Sequence, residues 1–419
     1  ATLADPLSLK LYLAAGPALR PLAERHLRKR LAKGKEDPNR VDEKRGIASV
    51  DAPSKVIWCH AVGVGEALAL TGFTAKLRTH APDHTVLLTT SSRNAAEVLI
   101  RNLPDGAIHQ FLPLDVPPFV GRFLDHWKPR LAIWAERDIW PRLMVEAEAR
   151  GIPQMIINGR MSDQSLRQKQ KAKRLFEACY ARCAFIDVQD ARSAENFEAL
   201  VPAADISVGG SLKAFAPMLA DDPAARAGWE QVLPKGKTWL AASIHSGEFE
   251  EVLEVHAGLL ANGWTSVMAP RNPDETDKLI DMIKARGLHA ARASDGITAD
   301  ADIIVEDRLG YLGLWYRLAA VAFLGGSWDE TGGHNPYEAA RLGCPFFYGS
   351  NVANFADDYA VFEAAGLDGG VASPTDLIHA VEAADLKALS KQVKALSDAG
   401  EDRVDALAAR CAALLHHAE

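Results

Sequence analysis

Cysteine is scarce in this sequence, and its scarcity argues against a zinc site. Only five of the 419 residues are cysteines, at positions 59, 179, 183, 344 and 411. No second Cys/His pair accompanies Cys179 and Cys183 at the spacing that zinc ligands need. We therefore expect reduced, mostly buried thiols of the kind found in cytosolic proteins.

Long apolar runs and an excess of basic residues are also missing. No stretch reaches the roughly 18 apolar residues of a membrane-spanning helix. The net charge of −8 argues against nucleic acid as a general partner, because nucleic-acid-binding surfaces are basic. A hydrophobic content of 48% and a charged content of 24% are ordinary for a soluble globular protein.

Residues 1–35 differ from the rest of the chain in their charge pattern. An apolar part, LSLKLYLAAGPAL, comes before a dense basic cluster from Arg25 to Lys35. This order is typical of an amphipathic segment on an anionic membrane surface, with leucines inserted and basic groups near the lipid head groups. The alternative is a solvated helix packed on the N-terminal domain. A cleaved signal peptide is not expected, because there the charges precede the apolar part.

Short apolar segments alternate with helix-length segments along the rest of the chain. The first set is KVIWCHAV, HTVLLTTSS, RLAIWAE, PQMIINGR, AFIDVQD and DISVGGS, and the second is KTWLAASI, WTSVMAPR, ADIIVED, AAVAFLGGS and CPFFYGS. Strands that are apolar on both faces and separated by helices indicate parallel sheets. We predict an α/β protein with two doubly wound, Rossmann-like domains, over residues 36–216 and 224–419. If the domains face each other, ligands bind in a crevice between them, at the carboxyl ends of the strands.

Glu66 follows the first predicted strand in HAVGVGEA. The glycines of this motif free the backbone to approach a ligand closely. Glu66 stands at the start of the next helix, where the helix dipole stabilises a carboxylate. The residue is therefore either a catalytic group or only the first polar residue of a helix, and spacing alone leaves both readings open.

Polar side chains also follow later strands of the first domain. Glu136 and Asp138 come directly after RLAIWA, although a helix cap would explain residues of this kind equally well. Arg160 with Ser162 can hold a phosphate or carboxylate. Lys213 follows a glycine pair and is either an exposed linker charge or an anion ligand.

The second domain carries two segments suited to anions. Ser243, His245 and Ser246 precede a predicted helix, and unpaired N–H groups at a helix start bind anions. Arg271 ends the next strand and can clamp a phosphate, because its guanidinium keeps its charge. An Asp300-Ala301-Asp302 motif precedes its strand and so lies at the wrong end of the sheet for a metal–diphosphate site.

The segment FLGGSWDETGGHNPYEAARLG is the densest polar cluster in the chain. Gly326 and Ser327 end a strand, and His334 and Asn335 open a helix that carries Glu338. Glu338 either stabilises the helix dipole or accepts hydrogen bonds from a ribose diol. Asn354 stands at another junction between a loop and a helix.

Taken in order, these motifs resemble those of the Kdo (3-deoxy-D-manno-octulosonic acid) transferases of bacterial lipopolysaccharide synthesis. The likeness covers nearly the whole chain and includes RLAKGKEDPNRVDEKRG, HAVGVGE, RFLDHWKPRLAIWAERDIWP, NGRMSDQS, GSLK, AASIHSGE, APRNP, LGGS, GGHNPYEAA and NF. It implies a GT-B fold, a CMP-activated sugar acid as donor and a lipid A precursor as acceptor. It also implies a peripheral location on the anionic cytoplasmic face of the bacterial inner membrane, with no cofactor and no metal at the transfer step.

The resemblance also implies roles for individual residues. Glu66 falls on the glutamate that acts as catalytic base in the family. The donor would be bound by Lys213, Ser243, His245, Ser246, Arg271, Gly310, Gly326, Ser327, His334, Asn335, Glu338 and Asn354. The acceptor would be bound by His60, Gly65, Glu136, Arg160 and Ser162.

Five positions depart from the family pattern. The family has serine at Gly63, threonine at Ile244, histidine at Asn272, arginine at Glu275 and glutamate at Tyr311. The changes at Glu275 and Tyr311 remove a positive charge and a carboxylate near the expected nucleotide or sugar site. A divergent member with another nucleotide-activated sugar or another lipid acceptor is therefore the alternative, and a non-catalytic nucleotide- or lipid-binding relative is a third possibility.

Overall fold

The computed structural model describes residues 5–135, 139–212 and 218–417. Glu136, Asp138 and Lys213 lie outside the described residues. The chain divides into two compact units, one of residues 1–217 with 400–419 and the other of residues 218–399. The predicted boundary assigns residues 400–419 to the second domain, whereas in the structure they group with the first.

The first unit is a parallel sheet with helices between its strands. Its strands are β1 (Val56–Ala61), β2 (Thr85–Thr90), β3 (Ile108–Phe111), β4 (Leu131–Ala135), β5 (Gln154–Gly159), β6 (Cys183–Val188) and β7 (Ile206–Val208). Its helices are α1 (Leu7–Ala32), α2 (Val64–His80), α3 (Arg93–Arg101), α4 (Pro117–Trp127), α5 (Pro141–Ala149), α6 (Asp163–Gln170), α7 (Lys173–Tyr180) and α8 (Ala191–Leu200). The seven strands lie in the order β3-β2-β1-β4-β5-β6-β7.

The second unit has the same construction. Its strands are β8 (Thr238–Ile244), β9 (Thr265–Pro270), β10 (Ala290–Arg292), β11 (Ile303–Val305), β12 (Val321–Leu324) and β13 (Phe346–Tyr348). Its helices are α9 (Pro223–Val232), α10 (Phe249–Leu260), α11 (Thr276–Ala285), α12 (Leu312–Leu318), α13 (Tyr337–Ala340), α14 (Ala356–Ala364) and α15 (Pro374–Ala383), followed by α16 (Leu386–Ala413). The strand order is β10-β11-β9-β8-β12-β13.

Burial on both faces explains why these segments form parallel sheets. Every residue of β1, β4, β5 and β8 is buried, as expected for strands covered by helices on each side. Trp58 on β1 packs edge-on against Trp134 on β4 and against Phe123 on α4, with ring centroids 4.8 and 4.9 Å apart. The predicted pair of α/β domains is thus confirmed.

Two strands were not predicted from the sequence, and both lie at sheet edges. β3 carries His109 and Gln110 between its apolar residues, and β10 is only three half-buried residues long. Buried polar residues interrupt the apolar run of β3, and β10 is too short to show one, so neither segment has the continuous apolar run by which the other strands were predicted.

The end of α16 packs on the first unit, and Arg410 makes two of the contacts. Arg410 forms an ion pair of 2.7 Å with Asp205, and its guanidinium lies 3.9 Å from the ring centroid of Phe185. Cys411 beside it is fully buried. These contacts explain why residues 400–419 group with the first unit.

Helix α1 buries one side on the first unit and exposes the other. Leu9 and Leu27 are buried, and the Tyr12 hydroxyl donates a 2.7 Å hydrogen bond to Asp115. Leu7, Leu11 and Leu22 are 71%, 60% and 59% exposed. In the part of the chain that the structure describes, no helix combines the length and the apolar character that crossing a membrane requires.

Candidate functional site

Glu66 stands in the first turn of α2, immediately after the carboxyl end of β1. Gly63 is the N-cap residue of this helix, and the carboxylate of Glu66 lies back over it. The Glu66 side chain is half-buried, and no hydrogen bond or ion pair joins it to another described residue. An ionisable group at a strand end without a protein partner is available to a ligand.

The sheet order places this motif at a switch point. β2 lies on one side of β1 and β4 lies on the other, so the chain changes direction across the sheet between β1 and β4. In open α/β sheets, ligands bind outside the carboxyl ends of the strands at such a point. Gly65 and Glu66 follow β1 there, while Glu136, which follows β4, lies outside the described residues.

His60, a predicted acceptor ligand, is buried in the structure. Its ring is 2% exposed, and Nδ1 lies 2.9 Å from the hydroxyl and 3.1 Å from the carbonyl oxygen of Thr89. Burial, together with the charge of Lys44, lowers the pKa of His60 to about 3. The imidazole is therefore neutral and holds β1 to β2, just before the motif that carries Glu66.

The sequence analysis missed Lys44, which lies beside this histidine. Lys44 is 4% exposed, and its ammonium group donates to the carbonyl of Ser91 at 2.7 Å. Burial lowers the pKa of Lys44 to about 8. Glu43, next to it, accepts two hydrogen bonds from Arg40, and it accepts a third from the amide of Phe111. Residues 42–45 (DEKR), at the end of the RLAKGKEDPNRVDEKRG motif, therefore hold the chain before β1 against the ends of β2 and β3.

Arg160 and Ser162 follow β5, as predicted. Arg160 is exposed at the carboxyl end of that strand. The Ser162 hydroxyl caps α6 by accepting from the amide of Ser165 at 3.2 Å. Ser162 therefore has a structural role in addition to the predicted contact with the acceptor.

In the second unit, Glu248 organises the predicted donor loops. Its carboxylate accepts hydrogen bonds from the amides of Gly326, Ser327 and Trp328 at 2.7, 3.0 and 2.9 Å. A fourth, from the amide of His245, measures 3.2 Å. Burial raises the pKa of Glu248, although the backbone donors act in the opposite direction. The carboxylate thus ties the loop after β8 to the loop after β12, at the switch point of this sheet.

Glu248 was also missed in the sequence, because its partners are about 80 residues away. It appears there only as the last letter of AASIHSGE. A fully buried carboxylate needs hydrogen-bond donors, but a sequence does not say which amides will supply them. A glutamate just ahead of an apolar helix was the available signal, and it is equally typical of an ordinary helix start.

Close backbone contact between the same two loops explains Gly325. A Cβ on Gly325 would lie 2.7 Å from Cα of Ile244 and 2.8 Å from the carbonyl oxygen of Ser243. Ser243 itself has a φ of 54°, in the left-handed region that favours glycine. Ser327 is fully buried, and its hydroxyl donates to the carbonyl of Leu324 and accepts from the amide of Gly349. The Ser327 side chain therefore joins the end of β12 to the loop after β13 by hydrogen bonds.

His245 and His334 form a stacked pair at this edge of the sheet. Their Nε2 atoms are 3.0 Å apart, and the rings are nearly parallel, at 7°. Burial and the nearby charges of His245 and Arg271 lower the pKa of His334 to about 4. One imidazole donates to the other, so the pair is held together while at least one ring stays neutral.

Arg271 and Glu338 lie within electrostatic reach of each other without forming an ion pair. Burial raises the pKa of Glu338 to about 7, against the positive charge of Arg271, which lowers it. No hydrogen bond or ion pair joins either side chain to another described residue. The site therefore offers one permanent cation and one carboxylate whose protonation changes near neutral pH.

Asparagines hold the glycine-rich loop beneath these groups. Asn335 accepts from the amide of Tyr337 at 3.1 Å and so holds the turn that leads into the short helix with Glu338. The Asn354 amide donates to the carbonyl of Thr331, and a Cβ on Gly332 would come within 2.9 Å of its nitrogen. Gly332 has a φ of 94°, so glycine is needed there for both reasons.

Tyr311, where the sequence departs from the family pattern, stacks on Arg308. The guanidinium carbon lies 3.7 Å from the ring centroid, and Glu306 holds the guanidinium by two hydrogen bonds of 2.8 and 2.9 Å. Glu306 also accepts from the indole of Trp315 at 2.7 Å. Gly310, a predicted donor contact, precedes Tyr311 with a φ of 91°. The loop after β11 is therefore ordered by protein contacts.

The groups at this edge of the second sheet are suited to an anionic ligand that carries hydroxyl groups. The second unit offers the guanidinium of Arg271, helix-start amides and a titrating carboxylate, which match a phosphate and a ribose. Over residues 5–135, 139–212 and 218–417, no cluster of three or more His, Cys, Asp or Glu side chains is arranged to hold a metal ion.

Comparison with known sequences shows extensive similarity to one family. A sequence model of the family described as 3-deoxy-D-manno-octulosonic-acid transferase (kdotransferase) matches residues 29–216. The chain is 32% identical over 360 residues to a probable mitochondrial 3-deoxy-D-manno-octulosonic acid transferase of Arabidopsis thaliana, covering 83% of this chain and 80% of the relative. It is 30% identical to the 3-deoxy-D-manno-octulosonic acid transferase of Haemophilus influenzae, covering 73% of each.

Comparison with solved structures supports the fold. The chain is similar to the UDP-GlcNAc 2-epimerase from Neisseria meningitidis bound to UDP-GlcNAc, with a TM-score of 0.52 and 14% identity. The match covers 82% of this chain and 94% of that one. At this identity the likeness concerns the fold alone, and the predicted GT-B class is confirmed.

Proposed function

The chain belongs to the 3-deoxy-D-manno-octulosonic acid (Kdo) transferase family, and we propose that it transfers Kdo from CMP-Kdo to a lipid A precursor with inversion, using Glu66 as the general base. The glycosyltransferase activity follows from membership of the family. Donor, acceptor, stereochemistry and base are the proposal. The observation that carries the choice of base is the unpaired carboxylate of Glu66 at the switch point of the first sheet.

The proposed reaction is a single displacement. Glu66 takes the proton of an acceptor hydroxyl while the hydroxyl oxygen bonds to the anomeric carbon of the donor. The bond from that carbon to the CMP phosphate oxygen breaks, and its electron pair leaves with CMP. Attack opposite the leaving group inverts the anomeric carbon. A positioned general base contributes a factor of about 10² to 10⁴ to the rate.

The second unit supplies groups that suit the leaving nucleotide. CMP gains negative charge on its phosphate as it departs, and Arg271 together with the amides before α10 can stabilise that charge. Lys213 is a further candidate for this role. Glu338 can accept hydrogen bonds from the ribose hydroxyls when it is ionised. The contacts of Glu248 keep the His245 loop in place before the nucleotide binds.

Helix α1 supports a location on an anionic membrane surface, facing the cytoplasm as family membership implies. With 3.6 residues per turn, the exposed residues Leu7, Leu11, Leu22, Arg25 and Lys29 fall on one face of the helix. An apolar stripe that continues into cations matches inserted leucines beside anionic head groups. That surface would bring the protein to a lipid acceptor.

One experiment tests the proposed donor, acceptor and base together. The purified protein is incubated with lipid IVA and CMP-Kdo generated in situ, and the lipid is analysed by mass spectrometry for the addition of Kdo. Glu66→Gln keeps the size of the side chain, and we expect it to lower kcat by at least about 10²-fold. Glu198→Gln, an exposed glutamate in the same unit, is the matched control. Wild-type turnover in Glu66→Gln would refute the role of base.

A second candidate is the same displacement with another donor. The observation that favours it is the Tyr311–Arg308 stack, which stands where the family has a carboxylate. Transfer from another nucleotide sugar, with none from CMP-Kdo, would support this candidate and exclude the first. The products of both donors are compared in the same assay.

A further inference from the structure

The loop after β11 leaves the second sheet at the carboxyl edge, beside the loop that carries Arg271. β11 pairs in parallel with β9, and the amide of Glu306 donates to the carbonyl of Met268 at 2.9 Å. Arg271, which we propose as a ligand of the donor phosphate, directly follows β9 at the same edge. Ligands of open α/β sheets bind outside this edge. Side chains of the loop after β11 are therefore candidates for contact with the donor.

Tyr311 presents an aromatic ring in this loop, and one face of the ring is covered. The guanidinium carbon of Arg308 lies 3.7 Å from the ring centroid. Arg308 is itself fixed, because the carboxylate of Glu306 accepts from its Nε and Nη2 atoms and from its backbone amide. Glu306 is only 3% exposed. Since a guanidinium attracts the face of an aromatic ring, these contacts hold the ring in one orientation before a ligand binds.

The other face of the Tyr311 ring is available. The side chain is half-buried, and apart from Arg308 no described residue gives it a hydrogen bond, an ion pair or a ring contact. Gly310 beside it is exposed, and a Cβ built on Gly310 would meet nothing within 4 Å. Open space therefore lies next to a flat aromatic surface whose position is fixed from behind.

We propose that Tyr311 is the stacking platform for the nucleobase of the donor. The base lies on the ring face opposite Arg308, so that the ring is between the base and the guanidinium. Stacking of a base on an aromatic side chain contributes about 5- to 150-fold to affinity, and every base has a face that can stack. The inference rests on the proposed function in requiring a nucleotide-activated donor, and it holds for either candidate donor.

The first test separates the base from the rest of the nucleotide. Ligand-observed NMR titrations compare CMP and UMP with ribose 5-phosphate, which keeps the sugar and the phosphate but lacks the base. We expect Tyr311→Ala to weaken the binding of CMP and UMP by about tenfold each and that of ribose 5-phosphate by less than about twofold. Similar losses for CMP and UMP are expected because stacking does not depend on the hydrogen-bonding groups at the base edge.

Two further variants control for the loss of the ring. Tyr311→Phe keeps the aromatic face and should retain the affinity for CMP within about twofold. Leu260→Ala truncates a side chain that is 41% exposed at the far end of α10, and it should leave all three affinities unchanged. A loss in Tyr311→Phe equal to that in Tyr311→Ala would refute stacking, since only the hydroxyl differs between phenylalanine and tyrosine.

The second test examines how Arg308 contributes. Arg308→Lys keeps the positive charge but gives up the planar group that lies on the ring. If Arg308 acts by holding the ring, this substitution weakens CMP binding by about two- to fivefold in the wild type and by less than about 1.5-fold in a Tyr311→Ala background. Equal losses in the two backgrounds would refute the arrangement in which the ring separates the base from the guanidinium.

The outcomes separate this inference from the proposed function. If the wild type transfers Kdo while Tyr311→Ala binds CMP as the wild type does, the platform is refuted and the proposed function stands. Equal losses for CMP and ribose 5-phosphate would also refute it, because that result means a distorted loop. If no Kdo is transferred while Tyr311→Ala loses affinity for CMP and UMP alone, the platform stands and the proposed donor is wrong. A wild type that binds neither nucleotide would overturn the platform.

Discussion

The Nε2 atoms of His245 and His334 lie 3.0 Å apart in a stack of two nearly parallel imidazoles. The two residues come from the loop after β8 and from the loop that leads to α13, 89 positions apart in the chain. Arg271 and Asp329 are the charged groups that act on His334 besides its partner. Protonation of both rings would place two like charges in contact, so the pair makes the second unit sensitive to acid.

The first prediction concerns the stability of the second unit between pH 6.5 and pH 4. The pKa of His334 is lowered to about 4 in the fold and returns to about 6.5 on unfolding, so the unfolded state binds more protons in this window. Stability is therefore complete above about pH 6.5 and declines as the pH falls toward 4. At about 1.4 kcal/mol per pKa unit, the loss from this residue is at most about 3 kcal/mol.

Urea unfolding at several pH values measures the predicted loss of stability between pH 6.5 and pH 4. His334→Gln should flatten the pH dependence in that window, while His379→Gln, at an exposed histidine on α15, should leave the slope unchanged. The same slope in wild type and His334→Gln would contradict the prediction.

The second prediction is that Glu248→Ala destabilises the second unit by about 3 to 5 kcal/mol. The substitution leaves four amides without an acceptor, three of them in the segment from Gly326 to Trp328. Glu254→Gln on the same helix is exposed and should stay within about 0.5 kcal/mol of wild type. Urea unfolding measures both variants, and a small effect in Glu248→Ala would show that water replaces the carboxylate.

The third prediction concerns Gly325, where the loops after β8 and β12 touch through backbone atoms. Gly325→Ala places a Cβ 2.7 Å from Cα of Ile244, and no side-chain rotation relieves that contact. We expect a loss of stability of about 2 to 4 kcal/mol and weaker CMP binding. Gly247→Ala is the control for stability, because its Cβ meets Asp329 at an ordinary 3.5 Å. Thermal unfolding and calorimetric titration with CMP measure the two effects.

The fourth prediction is that CMP binding tightens between pH 6 and pH 8. The pKa of Glu338 is raised to about 7, so the carboxylate that we propose as acceptor for the ribose hydroxyls is mostly protonated at pH 6 and mostly ionised at pH 8. If the ionised form binds, affinity rises by about tenfold across this range. Isothermal titration calorimetry measures the change.

Two variants test the origin of that pH dependence. Glu338→Gln should remove the part due to the protein, leaving only the ionisation of CMP itself. Arg271→Ala removes the charge that lowers the pKa of Glu338, so the rise in affinity should move to higher pH. An unchanged profile in Glu338→Gln would exclude this carboxylate as the titrating group.

The core strands could be predicted from the sequence because strands that are buried on both faces consist of consecutive apolar residues. Segments such as VIWCHA and TWLAASI are apolar throughout, which is required of a strand covered on both faces. The carboxyl ends of these strands were predictable for the same reason, and with them the motifs around Glu66, His245 and Arg271. Contacts with the bound nucleotide and acceptor stay predictions.

Only the structure shows which polar residues of those motifs are buried and which have hydrogen-bond partners. His60 and Glu66 stand six positions apart in one motif, yet one is a buried neutral imidazole and the other an unpaired carboxylate. The difference depends on Thr89 and Lys44, which approach His60 from distant parts of the chain. Glu248 likewise finds its donors 78 to 80 positions away.

By itself, then, the sequence determined the two parallel sheets, the polar residues at the carboxyl edge of each sheet, and the family. These depend on apolar periodicity and on glycine and charge at strand ends, which are local properties. Tertiary structure alone decided which charges are paired and which histidines stay neutral. Those outcomes depend on desolvation and on contacts between residues that are far apart in the chain.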